Sequence, residues 1–182
     1  MIKKALIFTL ALFFAVGSHL RPVCDYEIRG EQLRVGCSVR AAERAERTAA
    51  LAAEEILRGP AQMPAARRKL RLTFRKPDRD ARTLADALLR AADGVAVCDR
   101  VTVGDRRLGF VSDGAALRRA LYVYISNTLP TWAEGGILSR ELRLERRYTR
   151  AGLETPTEDM LLLVTGAAPV MYFDGAGSFG RA

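Results

Sequence analysis

The chain has 182 residues, with 29 Lys and Arg against 21 Asp and Glu, one His, three Cys and 49% hydrophobic residues. That length and apolar share suffice for one compact domain or two small ones and exclude a disordered tail. The single histidine, His19, lies beside an apolar leader, which leaves a Ser-His-Asp triad or a His-ligated zinc site without material, and no cofactor is expected.

Residues 1–17 read as an export signal. Lys3 and Lys4 form a charged start, residues 5–16 are apolar apart from Thr9, and Ala15 and Gly17 supply small residues at the −3 and −1 positions of a cleavage site. The run is shorter than the roughly 20 apolar residues that span a bilayer, so cleavage after Gly17 is expected, with an uncleaved signal-anchor as the alternative. Cleavage would remove Lys3 and Lys4 and lower the net charge from +8 to +6. A basic exported chain, extracellular or associated with the cell envelope, is drawn to an anionic wall polymer or an acidic envelope protein by screened electrostatics. Export and the lack of an aromatic-rich RNA motif argue against nucleic acid. The membrane is met only through the leader, if that stays attached.

An internal repeat at an offset of 75 residues organises the rest. Ile28, Leu33, Val35, Ala41 and Ala45 fall on Val103, Leu108, Phe110, Ala116 and Ala120, and Val95-Ala96-Val97-Cys98-Asp99 falls on Val170-Met171-Tyr172-Phe173-Asp174. The expected fold is therefore α+β: two tandem ββαβα units of about 75 residues, 22–96 and 97–171, mostly antiparallel strands covered by helices. Residues 172–182 begin a third hairpin or form a C-terminal tail.

In chain order, Cys24, Tyr26 and Ile28 alternate with polar residues, Gly30-Glu31 suits a two-residue turn, and Leu33, Val35 and Cys37 return. This register places Tyr26 opposite Val35, Ile28 opposite Leu33 and Cys24 opposite Cys37. A helix over 41–57 follows, ended by Gly59-Pro60, then a strand over 69–74 and a helix over 80–92. The second unit repeats the pattern: Val101 and Val103 face Leu108 and Phe110 across a loop at 104–107, a helix covers 115–129, a strand covers 141–148, and a last helix runs over 157–165. Thr155-Pro156-Thr157-Glu158 reads as a capping box with Pro at the first helical position. Residues 60–64 and 131–136 read as loops.

Few constellations carry chemistry. Cys24 and Cys37 are a disulfide in one reading and two buried thiols in the other, while Cys98 has no evident partner. The cysteine spacing and the scarcity of His speak against zinc. Gly175-Ala176-Gly177-Ser178-Phe179-Gly180 matches a dinucleotide pattern by letters, but no helix can follow before Ala182. Asp25, Asp99 and Asp174 recur as a structural element of the repeat. Tyr122, Tyr124 and Trp132 sit at helical spacing that favours core packing over sugar stacking. Arg67, Arg68, Lys69, Arg71 and Arg75 flank one apolar strand, and Arg140, Arg143, Arg146, Arg147 and Arg150 flank its counterpart. Such runs form either an anionic-polymer surface or a solvated edge whose charges discourage strand pairing.

The stretch Val101-Thr102-Val103-Gly104-Asp105, followed by Leu108-Gly109-Phe110-Val111-Ser112-Asp113-Gly114 and Ala115-Ala116-Leu117-Arg118-Arg119-Ala120, resembles the non-catalytic N-terminal region of secreted lysostaphin-type zinc peptidoglycan endopeptidases of Gram-positive bacteria. The resemblance implies a cell-wall-associated binding or positioning module without catalytic or metal residues, because the His and Asp ligands of those enzymes belong to a later domain. From residue 69 onward the order strand, helix, hairpin, helix also resembles the βαββα ring-building modules of secretion and sporulation complexes, which implies an alternative role as a membrane-anchored oligomeric scaffold.

Overall fold

A computed structural model describes residues 20–74, 80–174, 176 and, as backbone, 179–181. The proposed leader, His19, Arg75 and, within the terminal glycine-rich pattern, Gly175, Gly177 and Ser178 lie outside the described residues. The protein is α+β, with mostly antiparallel strands in small sheets, and it divides into a first unit ending at Val95 and a second beginning at Ala96.

The first unit runs β1 (Arg21–Ile28), β2 (Glu31–Val35), α1 (Val39–Leu57), β3 (Ala66–Thr73) and α2 (Ala81–Arg90). Its sheet has the order β2-β1-β3, with β1 antiparallel to both neighbours. The hairpin register differs from the sequence expectation by two residues: Cys24 pairs with Val35 and Tyr26 with Leu33. The cause is the turn, which is Arg29-Gly30 instead of Gly30-Glu31, with φ of 51° and 85°. Two successive left-handed residues match the twist of a two-residue hairpin, and glycine takes the second position without a Cβ penalty. Because the slip is even, the same side chains still point inward: Cys24, Tyr26, Ile28, Leu33 and Val35 are all buried.

Helix α1 covers that face with alanines. Ser38 caps it by accepting the Ala41 N–H, and Ala42, Ala45, Ala49 and Ala53 form a buried stripe at helical spacing. The helix ends at Arg58, a left-handed residue ahead of the expected Gly59-Pro60 stop. Helix α2, capped by Asp80, buries Leu84 and Leu88, each contributing roughly 2–3 kcal/mol of apolar burial. It packs on α1 and against β2.

The second unit contains β4 (Val95–Val103), β5 (Arg106–Val111), α3 (Gly114–Asn127), β6 (Gly135–Leu138), β7 (Leu142–Arg150), α4 (Thr157–Ala167), β8 (Val170–Phe173) and β9 (Phe179–Arg181). One sheet has the order β5-β4-β7, so β7 occupies the place that β3 holds in the first unit. Val103 pairs with Arg106 and Val101 with Gly109, since the turn is only Gly104-Asp105 and an irregularity between Val101 and Thr102 leaves Leu108 outside the pairing. The expected facing of Val101 and Val103 with Leu108 and Phe110 is therefore not formed. Val101, Val103, Val111, Leu117, Met160, Val164 and Ala168 make the core.

Three further elements depart from expectation. Residues 135–138 form β6, although 135 and 136 fall in the expected loop over 131–136, and β6 pairs with β8 in the order β6-β8-β9. A Cβ on Gly135 would stand 2.5 Å from the Phe173 ring, so the glycine lets that ring lie on the strand. The capping box at α4 does not form: Pro156 is the N-cap, no side chain caps the helix, and the Thr155 N–H donates instead to the Phe110 carbonyl. Finally, the elements of the βαββα reading occur in order, but β3 pairs with β1 whereas β4 pairs with β5 and β7, so they do not share a sheet.

Candidate functional site

Strand β3 alternates, and its alternation sorts the basic run into two sets. Arg67, Lys69 and Arg71 stand opposite Glu27, Asp25 and Val23 of β1, on one side of the sheet, while Arg68 and Leu70 stand opposite Tyr26 and Cys24 on the side that α1 covers. On the first side, Asp25 draws two guanidinium groups together: it accepts from Arg34 Nε at 2.8 Å and forms an ion pair with Arg71, whose Nε lies 3.3 Å from its other oxygen. Arg67 and Lys69 have no ion-pair partner among the described residues. An open concavity of about 490 Å³ lies here, lined by Arg34, Arg67, Arg68, Lys69 and Arg71 against the carboxylates of Asp25 and Glu27. Arg68 is neutralised by Glu43 and Glu46 of α1, so four cations face two anions and leave it positive. It can hold an anion by several charge-assisted contacts, none of them buried enough to exclude water.

Arg34 belongs to this group although the sequence reading left it out. Its signal is cross-strand: once the turn is placed at Arg29-Gly30, Arg34 falls opposite Asp25.

Arg68 has a different task. It pairs with Glu43 and Glu46 of α1 at 3.6 and 3.7 Å, and the buried Tyr26 hydroxyl donates to Glu46 at 2.6 Å. Burial, reinforced by the neighbouring Glu46 carboxylate, pushes the Tyr26 phenol well above its ordinary value and keeps it a donor. This cluster ties β3 to α1 and is structural.

The second basic run is more self-neutralised. Arg143 pairs with Glu141 at 2.6 Å, and Glu145 receives both Arg147 and Arg100. Arg146 lies near Asp113 and Cys98, while Arg140 packs its stem where a Cβ on Gly104 would point. Arg150 ends β7, exposed. The two runs occupy corresponding strands of separate units.

The cysteines carry free thiols, and all three are buried. Cys24 faces Val35 and not Cys37, and its Sγ lies 3.6 Å from the Cys37 carbonyl oxygen. Burial first, then the Cys24 thiol, pushes Cys37 up to about 11. Cys98 is likewise pushed up to about 11, by burial and then by Glu154, to which it donates at 3.3 Å. Such thiols are poor nucleophiles at neutral pH. Among the described residues no cluster of His, Cys, Asp and Glu is arranged to hold a metal, and no helix is long and apolar enough to cross a membrane.

Neither a known protein family, nor a curated protein, nor a solved structure matches this chain.

The aromatic residues near α3 differ from expectation. Tyr122 is 74% and Trp132 49% exposed, because the buried stripe of α3 is Leu117 and Leu121 and Tyr122 falls beside it. The recurring aspartates also serve different ends: Asp25 holds two arginines, whereas Asp99 accepts the Gly114 backbone N–H.

Proposed function

We propose that the chain is a non-catalytic module of the cell envelope that binds or positions itself on an anionic wall polymer through the open face of the first sheet. The observation that carries this reading is the concavity where Arg34, Arg67, Lys69 and Arg71 converge around Asp25. A repeating anion engages such a face by many weak, salt-screened contacts and needs no enclosed pocket. The exposed rings of Tyr122 and Trp132 would suit sugar faces of the same polymer. The export-signal pattern of residues 1–17 and the likeness of residues 101–120 to peptidoglycan endopeptidase N-terminal regions support the same compartment.

Co-sedimentation with purified cell walls tests it. Binding should fall steeply with added salt, and it should be lost in an Arg67→Glu, Lys69→Glu variant. Equal binding to walls stripped of their anionic polymer would refute the reading.

A second reading, an oligomeric scaffold, is favoured by the exposed apolar residues Tyr122, Val123, Leu162 and Leu163 of α3 and α4. Sedimentation velocity separates the two: a monomer at micromolar concentration removes the scaffold reading.

A further inference from the structure

Strand β3 has a second unusual side. Leu70 and Leu72 pair with Cys24 and Pro22 of β1 and point to the face that carries α1, yet they are 53% and 65% exposed, and Phe74 just beyond the strand is 64% exposed. In the second unit the leucines in the corresponding places, Leu142 and Leu144 of β7, are partly buried against the Val101, Val103 and Met160 core. The helical cover of the first unit stops short: α2 packs on α1 and toward β2, the opposite side of the sheet from β3. β3 is also an edge strand, paired with β1 over eight residues and with no strand on its outer side among the described residues.

An exposed edge flanked by an uncovered apolar stripe is the surface that strand addition uses. The charge on β3 selects the occupant. A second copy of β3 would bring Arg67, Arg68, Lys69 and Arg71 against the same four cations, an arrangement that like-charge repulsion disfavours. Arg67 and Lys69, without ion-pair partners among the described residues, instead call for carboxylates. We propose that the outer edge of β3 takes an extended acidic segment of a partner protein. Its backbone continues the sheet, its apolar residues cover Leu70, Leu72 and Phe74, and its alternate carboxylates face Arg67 and Lys69. This contact goes beyond the polymer-binding role, which uses the open face and does not need the leucines.

The test is fluorescence anisotropy on the full chain with a labelled eight-residue peptide of alternating Glu and Val. Saturable binding is expected, weakened about tenfold by Leu70→Thr with Leu72→Thr, and by a similar factor when Lys replaces Glu in the peptide. A peptide with alternate backbone nitrogens methylated should not bind, since it cannot extend the ladder. The threonine pair keeps strand propensity, and far-UV circular dichroism identical to the parent checks its fold. Equal binding of the methylated peptide, indifference to the leucine changes or absence of saturable binding would each overturn the proposal. So would self-association of the chain alone that disappears in the leucine variant, because the occupant would then be a second copy. Wall co-sedimentation of that same leucine variant should be unchanged, so loss of peptide binding and loss of polymer binding are read separately.

Discussion

Asp99 Oδ2 accepts the Gly114 backbone N–H at 2.8 Å, joining strand β4 to the first turn of helix α3. Asp113, the N-cap, accepts the next two amides, from Ala115 and Ala116, at 2.8 and 3.0 Å. Three amides that the helix itself leaves without acceptors are thereby satisfied by two carboxylates. The same proximity forbids a side chain at Gly114, where a Cβ would stand 2.8 Å from Asp99 Oδ2 and 3.0 Å from Leu144 Cδ1. Asp99→Ala should cost about 1–2 kcal/mol in urea unfolding. Gly114→Ala should also destabilise, and less so on the Asp99→Ala background, where one of the two obstructing groups is gone. Additive losses would show that the two positions do not touch.

The first hairpin carries a removable strain. Arg29 holds φ of 51°, a conformation that costs a non-glycine residue about 1–2 kcal/mol and that Asn tolerates better. Its ion pair with Asp93 is exposed on both sides and offsets little. Arg29→Asn should raise the thermal midpoint of the protein, with a gain of about 0.5–1 kcal/mol in chemical denaturation. A fall in midpoint would assign real weight to the pair with Asp93.

Acid should weaken two helix starts. Asp80 is held below the ordinary aspartate range chiefly by the Thr83 backbone N–H, and Asp113 chiefly by that of Ala116. A carboxyl depressed on folding stabilises above its unfolded value and loses that contribution as pH falls through the folded one. Stability should therefore decline below about pH 4, and the decline should be shallower in an Asp80→Asn, Asp113→Asn variant. An acid limb of unchanged slope would remove both carboxylates from the linkage.

At the alkaline end the sign reverses. Cys37 and Cys98, each pushed up to about 11, are favoured as neutral thiols in the fold, so their contribution is complete below the unfolded value near 8.5 and is lost as pH rises toward 11. Both should react with iodoacetamide at pH 8 at least about a hundredfold more slowly in the native protein than in guanidinium. Rapid native labelling of either cysteine would contradict the buried, neutral state.

Period-two alternation made the inward face of β1 and β2 legible, and a slip of two residues left that face intact while moving every pairing. What the alternation did not contain was the turn, because Arg29 in a left-handed conformation has no propensity signal. Residues 135 and 136 read as loop for a related reason: glycine marks weak strands, and β6 is held by β8 and by the ring of Phe173 lying over it. Thr155 looked like a cap, but its backbone N–H is taken by Phe110, a tertiary contact invisible locally. Of the basic face, the β3 cations were legible as a run. Arg34 was not, since it joins them only through the register with Asp25, and Arg68 left them through its contact with α1.

The chain has a single tryptophan, and it stands half in solvent at position 132, inside the second unit. Indole emission therefore reports that half of the molecule alone. The first unit can be followed through near-ultraviolet absorption of buried Tyr26 after subtracting the other tyrosines, or by alkylation of Cys24 and Cys37. The protein thus carries, without added dye, separate optical and chemical reporters for its two units. A denaturation in which tryptophan emission and thiol labelling report different midpoints would resolve the two halves as independent folding units.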